Sequence, residues 1–445
     1  MRITVVGTGY VGLVSGVCLS EKGHNVICVD NNSDKVQKIN NGVSPIYEDG
    51  LNELLKRNIG ERLTASTDLR SAINNSDISL IAVGTPFNGS VIDLSYIRQV
   101  SKEIGKCLSS KDEYHVVIVK STVVPGTTDD IVKPLLEKYS QKLAGKDFGI
   151  GMNPEFLREG LAVDDFMNPD RIVLGGSDDL THSVMDELYE PFRDVDTIFT
   201  NNKTAEMIKY ASNSLLATLI SFSNEVGNLC STLGGIDAKE VMTGIHLDKR
   251  FSPILESGQR ITPGITSYIE VGCGFGGSCL PKDVDALISH GDSVNQPMPL
   301  LKSVMLINKS QPLEIINLLI KHYPDINGLH ITILGLAFKP GTDDMRESPS
   351  ISIINRIVEL GGIVNAYDPI AESNAREIFA DEDISYFDSL EDSIKHSEVV
   401  LLLTSWPEFQ NLPQLIKSLN IDPLVIDGRR MLSKHDISRY EGIGN

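Results

Sequence analysis

Short runs of Val, Ile and Leu alternate with amphipathic stretches through the first 200 residues, the pattern of a parallel sheet flanked by helices. The apolar runs predict strands at 2–6, 25–29, 78–83, 115–120 and 148–151 and helices at 10–22, 95–108 and 127–139. From Ala205 the period changes. Met207, Ala211, Leu215, Leu219, Phe222, Val226, Leu229 and Leu233 recur at helical spacing, with Gly227 the one weak position. This predicts a single helix over 205–233, roughly 40 Å long. Ile208, Leu216, Ile220 and Cys230 widen its apolar face, so one stripe is expected to pack within the chain and another against a second subunit. Burial between two domains would give the same periodicity. Strand-like runs return at 331–334, 363–367, 399–404 and 424–427, with a helix at 350–360, and predict a second doubly wound unit. No segment is of low complexity.

Composition narrows the function classes. A chain of 445 residues exceeds one ordinary core, and 41% apolar with 22% charged residues is the balance of a folded globular protein. The formal charge of −20 repels phosphate backbones and anionic lipid, so neither nucleic acid nor membrane is expected as a partner. An anionic ligand must instead be held locally, by backbone amides and a few placed cations. No basic leader with an apolar core precedes the first glycine turn, and no run is long enough to span a bilayer. The six cysteines form no CxxC pair, so reduced thiols in a cytoplasmic protein are expected, with no metal site.

The first candidate site is Gly7-Thr8-Gly9-Tyr10-Val11-Gly12, directly after a strand and opening a helix. Gly7 permits the tight turn, Gly9 lets a diphosphate approach the backbone, and Gly12 lets helix and strand pack closely. The next strand ends in Asp30, whose carboxylate suits two ribose hydroxyls and repels a 2′-phosphate, favouring NAD over NADP. Lys35 lies near enough to meet the adenosine or remain solvated. The later turn at Gly335 lacks the second and third glycines, so it is not expected to cradle a dinucleotide, leaving Lys339, Arg346 and Arg429 for another anion.

The second is Gly274-Phe275-Gly276-Gly277-Ser278-Cys279-Leu280-Pro281-Lys282-Asp283. Pro281 suits the first turn of a helix running on through Val284, Leu287 and Ile288. Cys279 would sit at its N-terminus, where the helix dipole and Lys282 favour thiolate and Asp283 opposes it. Asp283 is also a candidate base. The other five cysteines read as small buried hydrophobes. Two further pairs, Glu155 with Glu159 and Lys209 with Asn213, are each spaced by four, which taken alone fits a solvated helix face.

At these residues the sequence is similar to the UDP-glucose/GDP-mannose dehydrogenase family, through GTGYVGLV, PIYE-x-GL, VGTP, KSTVVPGT, NPEFLREG, AEMIKYASN, LDKR, GFGGSCLPKD, FKPGTDDMRESPS and DGRR in order. The resemblance implies an α/β protein with two Rossmann-like doubly wound domains, joined by a helical central domain whose long helix forms a homodimer. The expected limits are 1–198 for the NAD-binding domain, 199–305 for the central domain and 306–445 for the nucleotide-sugar-binding domain. It implies oxidation of a nucleotide-sugar C6 alcohol to a carboxylate with two NAD, through a thiohemiacetal and then a thioester on Cys279. Lys209, Asp283, Thr122 and Asn213 would move protons and stabilise the oxyanion, and Glu155 would assist hydrolysis. Gly7, Gly9, Tyr10, Val11, Gly12, Asp30, Lys35, Thr85, Thr122, Glu159 and Arg346 would hold NAD. The sugar nucleotide would meet Glu155, Phe156, Leu157, Lys209, Asn213, Phe275, Gly276, Lys339 and Arg429, with Arg250 reaching across the dimer.

Two features depart from the family pattern. Asp49 replaces a proline, and the interval from Arg250 to Cys279 is longer, with the extra stretch around 253–271. UDP-glucose is the expected substrate, with GDP-mannose or a UDP-N-acetylhexosamine as alternatives. A two-electron hydroxyacid-type dehydrogenase would need no Cys279, and a non-catalytic NAD-binding protein would not be expected to keep Cys279, Lys209 and Asp283 together.

Overall fold

The computed structural model describes residues 1–445. It divides into two units, Met1–Ser212 and Asn213–Asn445.

In the first unit the strands are β1 (Arg2–Val6), β2 (Asn25–Val29), β3 (Leu63–Ser66), β4 (Ile78–Ile81), β5 (Val116–Val119), β6 (Gly149–Met152), β7 (Ile172–Gly176) and β8 (Thr197–Thr200). They lie in the order β3-β2-β1-β4-β5-β6-β7-β8, parallel except for β6 against β7. Alternate residues feed cores on opposite faces: Val5, Leu80 and Ile118 pack on one, Val6, Ile81 and Val119 on the other. That is why β4 and β5 read as unbroken apolar runs. The chain reverses direction of winding between β1 and β4, and ligands of such sheets bind beyond the strand ends at that point.

The second unit carries β9 (His330–Leu334), β10 (Ile363–Tyr367), β11 (Ile384–Tyr386), β12 (Val399–Leu402), β13 (Leu424–Asp427) and β14 (Tyr440–Gly442). Their order, β11-β10-β9-β12-β13-β14, repeats that of the first six strands, and every pair is parallel. Both expected doubly wound units are therefore present.

Two elements differ from expectation. The helix expected at 127–139 is a wide turn over Thr128–Val132 followed by a helix at Lys133–Ser140. Pro134 lies in that helix's first turn and has no amide for a continuous ladder. The long helix starts earlier, at Asn202, and runs to Leu233. Its recurrent large residues divide: Met207, Leu215, Phe222, Leu229 and Leu233 are exposed, Leu219 and Val226 pack against the core, and Tyr210, Ser214, Ala217, Ser221, Asn224 and Cys230 are buried. Ser214, Ala217 and Ser221 let this helix pack closely, and the stripe of Leu215, Phe222 and Leu229 faces outward. No helix is long and apolar enough to cross a membrane.

Candidate active site

Beyond β1 the chain turns at Gly7, with φ +98°, and a Cβ there would stand 2.7 Å from the Ala82 carbonyl oxygen. Gly12 is tighter still, since its Cβ would fall 1.9 Å from the Gly7 carbonyl oxygen. Gly9, which caps the helix Tyr10–Glu21, has nothing within 4 Å on that side. The turn is thus closed against its own sheet and open where a diphosphate would approach, as an NAD site requires. Asp30 Oδ2 accepts from the Thr8 amide at 2.8 Å and its hydroxyl at 2.6 Å, and Oδ1 accepts from the Asn32 amide at 3.0 Å. Burial raises this carboxyl, but the Thr8 and Asn32 hydrogen bonds and the Lys35 charge hold it below the ordinary value. It is ionised, which fits ribose hydroxyls. Tyr10 hydrogen-bonds Glu48, which also accepts from the amides of Gly160 and Ala162, each at 2.7 Å. That ties the Glu159 loop to the dinucleotide helix; Val11 is half-buried within it. Thr85 donates to the Thr122 carbonyl at 2.8 Å, joining the loops after β4 and β5.

Glu155 follows β6 in an irregular segment, so it shares no helical turn with half-buried Glu159. Nor does Lys209 lie on a solvated face. Both are buried, and Lys209 Nζ stands 2.9 Å from Glu155 Oε1. The Leu157 amide donates to Oε2 at 2.7 Å, and the Thr122 hydroxyl reaches Oε1 at 3.5 Å. Burial raises the Glu155 carboxyl, yet Lys209, the Leu157 amide and Lys120 outweigh it, leaving it lowered. Phe156 walls this pair, with the Arg171 guanidinium 3.9 Å from its ring centroid and Lys209 Nζ at 5.6 Å.

In the second unit Cys279 caps the helix Leu280–Ser293, with Pro281 in the first turn. It is half-buried, whereas the other five cysteines are buried. Ser278 Oγ lies 3.6 Å from its sulfur. Asp283 is 1% exposed and accepts from Asn213 Nδ2 at 2.7 Å and from Lys282 Nζ at 2.6 Å. Lys282 therefore pairs with Asp283, and the helix terminus favours the thiolate. The glycines before Cys279 have no room for a side chain: a Cβ on Gly276 would meet the Glu347 carbonyl oxygen at 2.2 Å. Asn308, which the sequence did not single out, pins Phe275 by accepting from its amide at 2.8 Å and donating to its carbonyl at 3.0 Å. Its helical spacing carried no sign of that contact.

Arg429 is anchored by backbone carbonyls. It donates to the carbonyls of Leu403 at 2.6 Å, Gly274 at 3.3 Å and Phe338 at 3.4 Å, so any ligand would meet an arginine already held by backbone. Arg346 forks onto Asp344, closing at 2.7 Å, and Lys339 Nζ lies 5.6 Å from the Phe338 ring centroid. Arg250 is exposed and paired with Asp248 at 2.5 Å. The longer stretch after it forms a small bridge between Ile254 and Arg260, then a helical turn at Gly264–Tyr268. At the second glycine turn, Asp368 accepts from the amides of Leu336 at 2.7 Å and Ala337 at 3.1 Å. The following helix begins only at Pro349, so no helix terminus opens at this turn.

Comparison with known proteins identifies the family. Three models of the UDP-glucose/GDP-mannose dehydrogenase family match: its NAD binding domain over residues 1–193, its central domain over 203–310 and its UDP binding domain over 332–434. The chain is 39% identical to the UDP-glucose 6-dehydrogenase AglM of Haloferax volcanii, covering 100% of both. It is also 39% identical to the UDP-glucose 6-dehydrogenase TuaD of Bacillus subtilis, covering 100% of this chain and 93% of that one. A UDP-glucose dehydrogenase structure from Pyrobaculum islandicum superposes with a TM-score of 0.89 at 35% identity, covering 99% of this chain and 97% of the other. A UDP-D-ManNAc dehydrogenase from Pyrococcus horikoshii gives 0.84 at 28% identity, covering 100% and 99%. With an open glycine turn, an ionised Asp30 and a helix-capping Cys279, the chain belongs to the UDP-glucose/GDP-mannose dehydrogenase family.

Proposed function

We propose that this protein is a cytoplasmic UDP-glucose 6-dehydrogenase that converts the C6 alcohol to a carboxylate with two NAD and one water. The overall change releases two NADH and three protons per sugar. NAD, when bound at the first glycine turn, accepts the hydride in each oxidation. Cys279 carries the reading. It alone of the six cysteines is not buried, and it caps a helix whose first turn holds a carboxylate. Its sulfur adds to the C6 aldehyde as a thiohemiacetal, which the second oxidation turns into a thioester. Water then bonds to that carbon, the carbon–sulfur bond breaks, and Glu155 takes the water's proton. Lys209, Asn213 and Thr122 donate toward the developing oxyanion, and Asp283 accepts protons from the reacting oxygen.

The working division is an NAD-binding domain over 1–198, a central domain over 199–305 and a nucleotide-sugar domain over 306–445. Gly7, Gly9, Tyr10, Val11, Gly12, Asp30, Lys35, Thr85, Thr122, Glu159 and Arg346 hold NAD. Phe156, Leu157, Phe275, Gly276, Lys339 and Arg429 meet the sugar nucleotide. The exposed stripe of Leu215, Phe222 and Leu229 supports a homodimer, across which Arg250 reaches the partner's site. Incubation with UDP-glucose, GDP-mannose and UDP-N-acetylhexosamines, measuring NADH formed per sugar consumed, tests the reading. Two NADH with UDP-glucose as the preferred substrate is expected. One NADH per sugar refutes the thioester route, and preference for another sugar reassigns the substrate.

A further inference from the structure

Lys120 stands at the end of β5 and is 3% exposed, an unusual place for an amine. Its Nζ donates to Asn153 Oδ1 at 2.8 Å and lies 3.4 Å from the Tyr189 hydroxyl, which itself hydrogen-bonds Asn153. Burial pushes the amine down to about 8; the Glu155 charge works against this and the Lys209 charge adds to it. An ammonium with three donors is held here among neutral oxygens, close enough to the Glu155–Lys209 pair to feel both charges.

A pocket of about 50 Å³ adjoins these groups. Its buried side is formed by Lys120, Asn153, Glu155 and Tyr189, and its outer side includes half-buried Asp165 and Arg171 and exposed Asp170. Such a volume has room for on the order of three or four waters. The lining includes no residue of the first glycine turn, nor Asp30, Thr85 or Thr122. It thus reaches the Glu155 carboxylate without passing the dinucleotide crevice.

We propose that this pocket is a proton well, in which Lys120 relays to solvent the proton that Glu155 takes from the hydrolytic water. The inference rests on the thioester chemistry proposed above and deepens it. As water bonds to the thioester carbon and the Cys279 sulfur leaves, Glu155 gains one proton. That proton passes through pocket water to Lys120, which gives up one of its own toward the Asp170 side. Both side chains return to their starting states, and one proton has left the site.

Lys120→Arg separates relay from charge, because arginine keeps the positive charge but does not deprotonate. With a relay, Lys120→Arg and Lys120→Met both slow turnover by about tenfold or more. Both also accumulate the thioester on Cys279, seen by intact-protein mass after rapid quenching. Wild-type turnover in either variant overturns the proposal. So does slow turnover without accumulated thioester, which puts the lesion before hydrolysis. If neither variant folds, the wild-type enzyme decides: a relay gives a curved dependence of the hydrolysis rate on deuterium fraction, and a straight single-proton dependence overturns it. Failure of the underlying chemistry is separately visible, since the wild type would then form one NADH per sugar.

Discussion

At Cys279 two influences on one sulfur pull apart. The helix terminus favours thiolate, and Asp283, whose amide closes the first turn on the Cys279 carbonyl, places a carboxylate nearby. Lys282 and Asn213 take up that carboxylate's two oxygens, which moderates its repulsion of the thiolate. Cys279→Ser keeps shape and hydrogen bonding but is a far weaker nucleophile. It is expected to bind UDP-glucose within about threefold of wild type and to lose turnover by roughly 10³-fold or more, stalling at the first oxidation. Calorimetric binding alongside NADH yield checks this, and full turnover by the serine variant would remove Cys279 from the chemistry. The sequence made this residue visible because glycines, proline and cysteine sit side by side. Lys120, Glu48 and Asn308 were not visible, since each acts through a partner far along the chain and nothing local marks a buried polar contact.

Among the elements, the start of the long helix is bound to the loop after β5. Glu206 is fully buried and accepts from the amides of Gly126 at 2.6 Å and Thr128 at 2.8 Å, with Asn202 on Asp129 and Lys203 on Asp130 alongside. Burial pushes the Glu206 carboxyl up to about 7 against the pull of Thr128 and Gly126. The unfolded chain releases this proton near the ordinary value, the folded one only near 7. Stability from this group is therefore full in acid and declines as pH rises through about 7. Between pH 5 and 8, wild type should lose about 3 kcal/mol more than Glu206→Gln by urea denaturation; equal losses would contradict the assignment. Apart from β7, sequence pattern found the interior strands, where buried apolar runs are continuous. It missed β7, which ends in Gly175-Gly176, the short β11 and β14, and edge strands β3 and β8, of whose residues only Leu63 is buried, so that they show no apolar run.

On the scale of the whole molecule, the exposed stripe is what remains unexplained by a single chain. Leu215, Phe222 and Leu229 recur every seventh residue at 54%, 48% and 57% exposure, more apolar surface than an isolated helix normally shows to water. Phe222→Glu with Leu229→Glu is expected to convert a dimer to monomers in sedimentation while leaving the folded-state circular dichroism unchanged. An unchanged mass would place the interface elsewhere. Periodicity predicted two stripes on this helix, but only packing could say which one faces outward, because small residues such as Ser214 and Ala217 outcompete leucine where backbones approach closely.

Asp368 is pressed against the amides of the second glycine turn, while the two oxidations proposed for each sugar use the carrier at the first turn twice. The spent carrier has to depart and a fresh one arrive while the cargo is only half converted. On the proposed chemistry, the sulfur of Cys279 is the mooring that keeps this cargo in harbour during the exchange. Scarcity of fresh carrier would therefore strand loaded enzyme rather than spill aldehyde.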